Sequence, residues 1–249
     1  MMSGAQPGTT IDAGEIAKFE AIAAEWWDPD GKFKPLHQMN PCRLDYILSQ
    51  LAAQYGLKPG RRSLEGLKLV DIGSGGGLIA EPLSRLGAEV TGLDAAAGNI
   101  AVAGAHAAAM GLDIDYRVET AEVVAEAGET FDAVIALEIV EHVADVPSFL
   151  AALSQLVKPG GLVIMSTLNR TAQSWAMAIV GAERIMRWLP VGTHDWDKFP
   201  TPEELETGLT DASLSVVDSK GMVLNPLRGE WRLSDDDLSV NYILTAEKA

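Results

Sequence analysis

From Lys68 onward, short apolar runs alternate with helical stretches, and this rhythm narrows the fold more than any other feature of the chain. Strands are expected over Leu69–Ile72, Glu89–Leu93, Ile114–Val118, Phe131–Leu137 and Leu162–Ser166. Helices are expected between them over Leu78–Leu86, Gly98–Met110 and Val146–Val157. Parallel strands need long crossover connections, and helices of this length supply them on both faces of a sheet. The expected class is α/β, a Rossmann-like sheet that is mostly parallel. Two later apolar runs, Leu214–Leu224 and Val240–Ala246, suit terminal strands, and Thr201-Pro202-Glu203-Glu204 opens a further helix with a capping threonine.

Upstream of the alternation, residues 1–12 read as a frayed tail and residues 13–66 as a helical cap. Within the cap, Ala13–Trp27 has helical spacing, Asp28-Pro29-Asp30-Gly31 stops it, and Lys34 to Leu36 reads as a loop. Asn40-Pro41 can then start a second helix that ends near Gly56. The alternating domain spans 67–249 and is interrupted by an insertion at 169–199. At 249 residues the chain is long enough to bury a full core unaided.

A formal net charge of −16 repels phosphate backbones, so no nucleic-acid partner is expected. The single cysteine, Cys42, excludes an internal disulfide and a multi-cysteine metal cluster. Neither a signal peptide nor a spanning apolar stretch is visible, so a soluble, reduced, cytoplasmic protein is expected.

The sharpest local motif is Val70-Asp71-Ile72-Gly73-Ser74-Gly75-Gly76-Gly77-Leu78. A strand ends, glycines let the backbone turn tightly beside a ligand, and a helix begins. Asp94, at the end of the second strand, stands where a carboxylate can accept both hydroxyls of a ribose. A dinucleotide fold wants G-x-G-x-x-G, and the last position of that pattern is occupied here by Leu78. Gly73, Gly75 and Gly77 instead make G-x-G-x-G, which resembles S-adenosylmethionine-dependent methyltransferases. Phe131–Leu137 and Val157-Lys158-Pro159-Gly160-Gly161 resemble later landmarks of the same class I fold. That resemblance implies an antiparallel last strand, Leu137 lining the cofactor pocket, and Ala121-Glu122 near the adenine.

Three stretches resemble a narrower family, the ubiquinone-biosynthesis O-methyltransferases. They are Lys18-Phe19-Glu20 to Trp26-Trp27-Asp28, then Phe33-Lys34-Pro35-Leu36-His37, and Asn40-Pro41-Cys42-Arg43-Leu44. Leu137–Val143 and Gly192–Phe199 are similar to two later runs of that family. Ser74 stands where its pattern has a cysteine, and Ala95-Ala96-Ala97-Gly98 is plainer than usual. The resemblance implies methyl transfer to hydroxyls of polyprenylated catechol-like rings, an early polyprenyl-hydroxyphenol or dihydroxybenzoate and, last, demethylubiquinol. It also implies that Arg43 joins Gly73, Gly75, Asp94 and Leu137 in holding S-adenosylmethionine, and that other proteins of the pathway are partners.

A catechol hydroxyl must lose its proton before it attacks, and two routes are open. A divalent cation, Mg²⁺ or a similar ion, stabilises a phenolate, and Glu138, Glu141 and His142 are the candidate ligands, with spacing that lets them converge. Without a metal, His142 is the best general base. His194 fits a structural hydrogen bond better, and His37 and His106 offer no constellation.

A prenylated substrate lies in a bilayer. Residues 170–189 place Trp175, Ile179, Ala182, Met186 and Leu189 on one helical face, with Arg170, Arg184 and Arg187 nearby. Such a segment suits either a lid over the site or a peripheral contact with an anionic lipid surface at the inner face of the membrane. Against the enzyme stand a non-catalytic S-adenosylmethionine-binding scaffold and a nicotinamide-dependent oxidoreductase, the latter opposed by Leu78.

Overall fold

The fold was described from a computed structural model covering residue 16 and residues 22–176, 196–225 and 228–249. The expected tail at 1–12, most of the first expected helix, His194, and Ile179, Ala182, Arg184, Met186, Arg187 and Leu189 of the insertion lie outside the described residues.

After a 3-10 turn, Ala23–Glu25, the main elements in chain order are α1 (Lys34–Tyr55), β1 (Lys68–Ile72), α2 (Ala80–Arg85), β2 (Glu89–Leu93), α3 (Ala97–Ala109), β3 (Asp115–Arg117), α4 (Ala121–Glu126), β4 (Phe131–Leu137), α5 (Val146–Leu156), β5 (Val157–Leu168), α6 (Pro202–Asp211), β6 (Leu214–Asn225), β7 (Glu230–Ser234) and β8 (Asn241–Lys248). The strands form one sheet in the order β3-β2-β1-β4-β5-β8-β6-β7. The first five are mutually parallel, whereas β8 is antiparallel to both β5 and β6. The strand order reverses direction across β1 and β4, so their carboxyl ends open a crevice in which ligands of such sheets bind.

Successive strand residues point to opposite faces, and two cores result. On one face Val70, Ile72, Val134, Ala136, Val163 and Met165 meet Leu150 and Leu153 of α5 and Leu205 and Leu209 of α6. On the other, Leu69, Ala133, Ile135 and Ile164 meet Tyr46, Ile47 and Leu51 of α1 and Leu83 of α2. Helix α1 is also fastened by polar contacts: the Tyr55 hydroxyl donates to the Asp132 carbonyl at 2.6 Å, and Gln50 donates to Asp218 at 3.0 Å.

Three elements depart from the sequence reading. Helix α1 begins at Lys34, not Asn40, because Pro35 occupies its first turn, where no N–H is required. Pro41 is therefore interior, where proline removes a helix hydrogen bond at a cost of about 3 kcal/mol. Burial of Met39, Cys42, Tyr46, Ile47 and Leu51 along the same helix offsets that cost. Helix α4 and strand β7 were not foreseen, since Ala121–Glu126 is a short turn and Glu230–Ser234 a short run without strong alternation. Helix α6 starts as expected, with Thr201 and Glu204 forming a reciprocal capping box.

Candidate active site

The glycine loop follows β1 directly. Gly73, Gly75 and Gly77 all take positive φ, at 70°, 54° and 88°, a conformation that side chains with a Cβ disfavour. The loop is pinned to β2, because the amides of Gly73 and Ser74 both donate to the Leu93 carbonyl. The amide of Gly75 donates to Asp94 Oδ2 at 2.9 Å, and that of Ala96 to Asp94 Oδ1 at 2.8 Å. Thus the acid expected to meet a ribose is oriented by the loop itself.

A cavity of ≈ 260 Å³ opens at the carboxyl ends of β1, β2 and β4. Arg43, Gly73, Gly75, Asp94, Leu137, Glu138, Glu141 and His142 all line it, so the expected cofactor and chemistry residues share one space. Ala121 and Glu122 line it too.

Arg43 is buried, reached from the middle of α1. Its Nη1 donates to Asn40 Oδ1 at 3.3 Å and its Nη2 stands 3.0 Å from Glu138 Oε1. Its Nε and Nη2 make no hydrogen bond with the described residues. Nη2 has the Glu138 carboxylate as its counter-ion, but a buried guanidinium with an unmet Nε is expensive unless an acceptor completes it, and a ligand carboxylate fits that requirement.

Asp71 was not singled out from the sequence. It is a carboxyl in the middle of an otherwise apolar strand, and that mismatch was the available signal. Burial first, then the charge of Asp94, pushes it up to about 7. It lines the cavity, where a ligand ammonium would favour its ionised form. Trp26 and Trp27 were seen only as markers of resemblance, yet both are seated on the glycine loop. The Trp27 indole donates to the Gly76 carbonyl at 2.9 Å and its ring stacks on His106 at 3.5 Å. His106 in turn lies 2.6 Å from Glu81, and His37 contacts the Trp26 carbonyl at 2.9 Å, so both are engaged in holding this corner.

The Glu138–His142 turn is arranged differently from the expected three-ligand centre. Glu138 has φ 52°, which turns the chain sharply off β4. Its carboxylate accepts from the Ser166 hydroxyl at 2.7 Å and pairs with Arg43. Glu141 is buried and accepts from the Thr167 hydroxyl at 2.9 Å. Burial, followed by the neighbouring Glu138 charge, raises Glu141 well above the ordinary carboxyl range. Although all three line the cavity, no group of three His, Cys, Asp or Glu side chains among the described residues is placed to hold a metal ion. In this arrangement hydroxyls on β5 and the Arg43 guanidinium engage the two carboxylates.

A parallel set continued by a reversed strand, with a G-x-G-x-G loop after β1 whose amide holds the acid ending β2, is the arrangement of the class I S-adenosylmethionine-dependent methyltransferases. A family model described as a methyltransferase domain matches residues 70–165. The structure of magnesium protoporphyrin IX methyltransferase from Synechocystis, solved with S-adenosylmethionine bound, superposes with a TM-score of 0.64 at 18% identity, covering 99% of this chain and 100% of that one. Within the class, the chain belongs to the ubiquinone biosynthesis O-methyltransferase family. The protein of that name from Ruegeria pomeroyi is 61% identical over 94% of this chain and 95% of its own length. The one from Cereibacter sphaeroides is 61% identical over 96% and 97%, respectively. Neither the scaffold nor the oxidoreductase is favoured.

Proposed function

We propose that this enzyme moves the methyl group of S-adenosylmethionine to a hydroxyl of polyprenylated catechol-like rings, an early polyprenyl-hydroxyphenol or dihydroxybenzoate and demethylubiquinol. The observation that carries the substrate class is the match to ubiquinone biosynthesis O-methyltransferases along almost the entire chain. Arg43 receives the carboxylate of the cofactor on its unmet Nε, Asp94 receives the ribose, and Gly73 and Gly75 keep the loop free of side chains beside it. Leu137 closes an apolar wall, and Asp71 faces the ammonium.

The sulfonium already carries an activated methyl group, so alignment accounts for much of the rate. Well-oriented reactants gain on the order of 7–11 kcal/mol. His142 lines the same cavity and takes the phenolic proton. The phenolate oxygen would then attack the methyl carbon as the carbon–sulfur bond breaks, leaving S-adenosylhomocysteine as a thioether. His142→Ala is expected to lower kcat by roughly 10²- to 10⁴-fold with cofactor affinity unchanged. Methyl transfer from labelled cofactor to a short-tailed demethylubiquinol, followed with and without chelator, tests this reading. Turnover that survives chelation supports His142 as the base.

Glu138, Glu141 and His142 line one cavity, and this favours a second reading. The Glu138 charge makes ionising buried Glu141 costlier, and a divalent cation held by both with His142 would relieve that. When bound, such an ion stabilises a phenolate. Turnover lost on chelation and restored by Mg²⁺ would move the role from His142 to this site.

Among the described residues no helix is long and apolar enough to cross a membrane. A prenylated acceptor therefore calls for peripheral contact, for which we propose residues 170–189 on anionic lipid. Trp175 is 47% exposed at the start of this segment, in keeping with an interfacial indole. Arg170 pairs with Glu204. Replacing Trp175, Ile179 and Met186 with polar residues is expected to abolish sedimentation with anionic liposomes while cofactor affinity is unchanged. Sedimentation equal to the parent's would remove the idea.

A further inference from the structure

Asp94 is held by a donor that neither the glycine loop nor its own turn supplies. Asn99, in the first turn of α3, is 2% exposed and donates from Nδ2 to Asp94 Oδ2 at 3.2 Å. Its other end is also taken: the Trp26 indole donates from Nε1 to Asn99 Oδ1 at 2.8 Å. This pairing settles which way the amide faces. An indole N–H only donates and a carboxylate only accepts, so the Asn99 oxygen must face Trp26 and its nitrogen must face Asp94.

Trp26 is itself firmly seated. Its ring stacks on Phe33 with centroids 3.7 Å apart and planes 8° from parallel. The same ring lies across the loop, so that a Cβ on Gly75 or on Gly76 would come within 2.4 Å of it. Trp26, Phe33, Asp94 and Asn99 all line the one cavity. The segment before α1, distant in sequence from the loop, is thereby joined to the acid of β2 through one side-chain relay.

We propose that Asn99 and Trp26 are positioning residues of the cofactor site, Trp26 orienting the Asn99 amide and Asn99 aiming the Asp94 carboxylate at the nucleoside. This rests on the reading of Asp94 as the ribose acceptor. A carboxylate held from three sides by Gly75, Ala96 and Asn99 meets a diol without reordering, and preorganisation of that kind shows up as affinity. The relay also gives the tryptophan a task that packing alone would not, since a phenylalanine keeps the stack on Phe33 but has no N–H to donate.

The test is titration calorimetry with S-adenosylhomocysteine, which binds without turning over, on Asn99→Ala, Trp26→Phe, Asp94→Ala and the double variant Asn99→Ala/Asp94→Ala, with steady-state kinetics alongside. Asn99→Ala is expected to raise Kd about tenfold and Trp26→Phe about fivefold, with KM for the cofactor rising in step and kcat at saturation within twofold of the parent. Because Asn99 acts through Asp94, Asn99→Ala should add nothing in the Asp94→Ala background. Independent, multiplying effects in the double variant would overturn the relay, as would a lowered Tm with Kd unchanged in the single variants. If Asp94→Ala itself leaves Kd unchanged, the ribose reading fails, an outcome distinct from failure of the relay alone.

Discussion

Arg43→Ala is expected to weaken S-adenosylmethionine binding by roughly ten- to a hundredfold, the worth of a charge-assisted hydrogen bond of about 1.5–3 kcal/mol. Two consequences of the substitution add up. The unmet Nε donor that suits the carboxylate of the cofactor is lost, and Glu138 loses the cation 3.0 Å from its carboxylate. Calorimetry gives the affinity, and a thermal melt separates it from the stability lost when one partner of a largely buried pair is removed. Arg43→Lys restores the charge but not the planar fork, so recovery should be partial. A Kd within twofold of the parent in Arg43→Ala would show that the carboxylate is held elsewhere.

Gly221→Ala should be the most damaging single substitution for the fold. Gly221 lies within β6, paired with Tyr242 of β8 on one side and Ser234 of β7 on the other. A Cβ there would stand 1.6 Å from the Asp237 carbonyl oxygen and 3.2 Å from the Leu238 nitrogen. Those atoms are backbone, so no side-chain rotation relieves the clash, and either the turn or the strand must move. The expected loss is on the order of 4 kcal/mol, among the larger effects a point change produces. In a domain of this size that corresponds to a fall in Tm of roughly 10 °C. Gly104→Ala provides the contrast, since Gly104 lies in α3 with nothing within 4 Å of its would-be Cβ. That change should be neutral or stabilising by about 0.5–1 kcal/mol. Differential scanning calorimetry distinguishes them, and a Gly221→Ala melt within 2 °C of the parent would refute the packing argument.

The sheet was legible because its signals are local. An apolar run such as Phe131–Leu137 declares a strand wherever it lies, and glycines with φ near 70° declare a turn that only glycine accepts easily. The start of α1 misled because proline is read as a boundary at two places, Pro35 and Pro41, and only packing decides which one the helix carries. At the site, Arg43, Asp94 and the Glu138–His142 turn were identified as residues, but their partners were not. Spacing places Glu138 and Glu141 on one turn; it says nothing of Ser166 and Thr167 across on β5, whose hydroxyls donate to those carboxylates. Nor does any local pattern reveal that Trp26 reaches Asn99 over a separation of 73 residues, since such contacts exist only once the sheet has brought α3 beneath the segment preceding α1.

The position of β8 has a consequence for how the protein is made. Strands β6 and β7 join the rest of the sheet only through β8, which lies between β5 and β6. While a ribosome is still adding residues before Asn241, the β6–β7 hairpin has no strand of the sheet to pair with, and the long flank of β5 is an open edge able to pair with other chains. The glycine loop, Asp94 and Asn99 belong to the earlier half and emerge first, so nascent protein passes through an interval in which this corner is present but the sheet beside it is unfinished. Domains generally fold in the order of synthesis, and here the last element to arrive is also the one that closes the structure. Premature termination inside β7 would therefore release a sticky intermediate for chaperones and proteases to handle, not a slightly shortened enzyme.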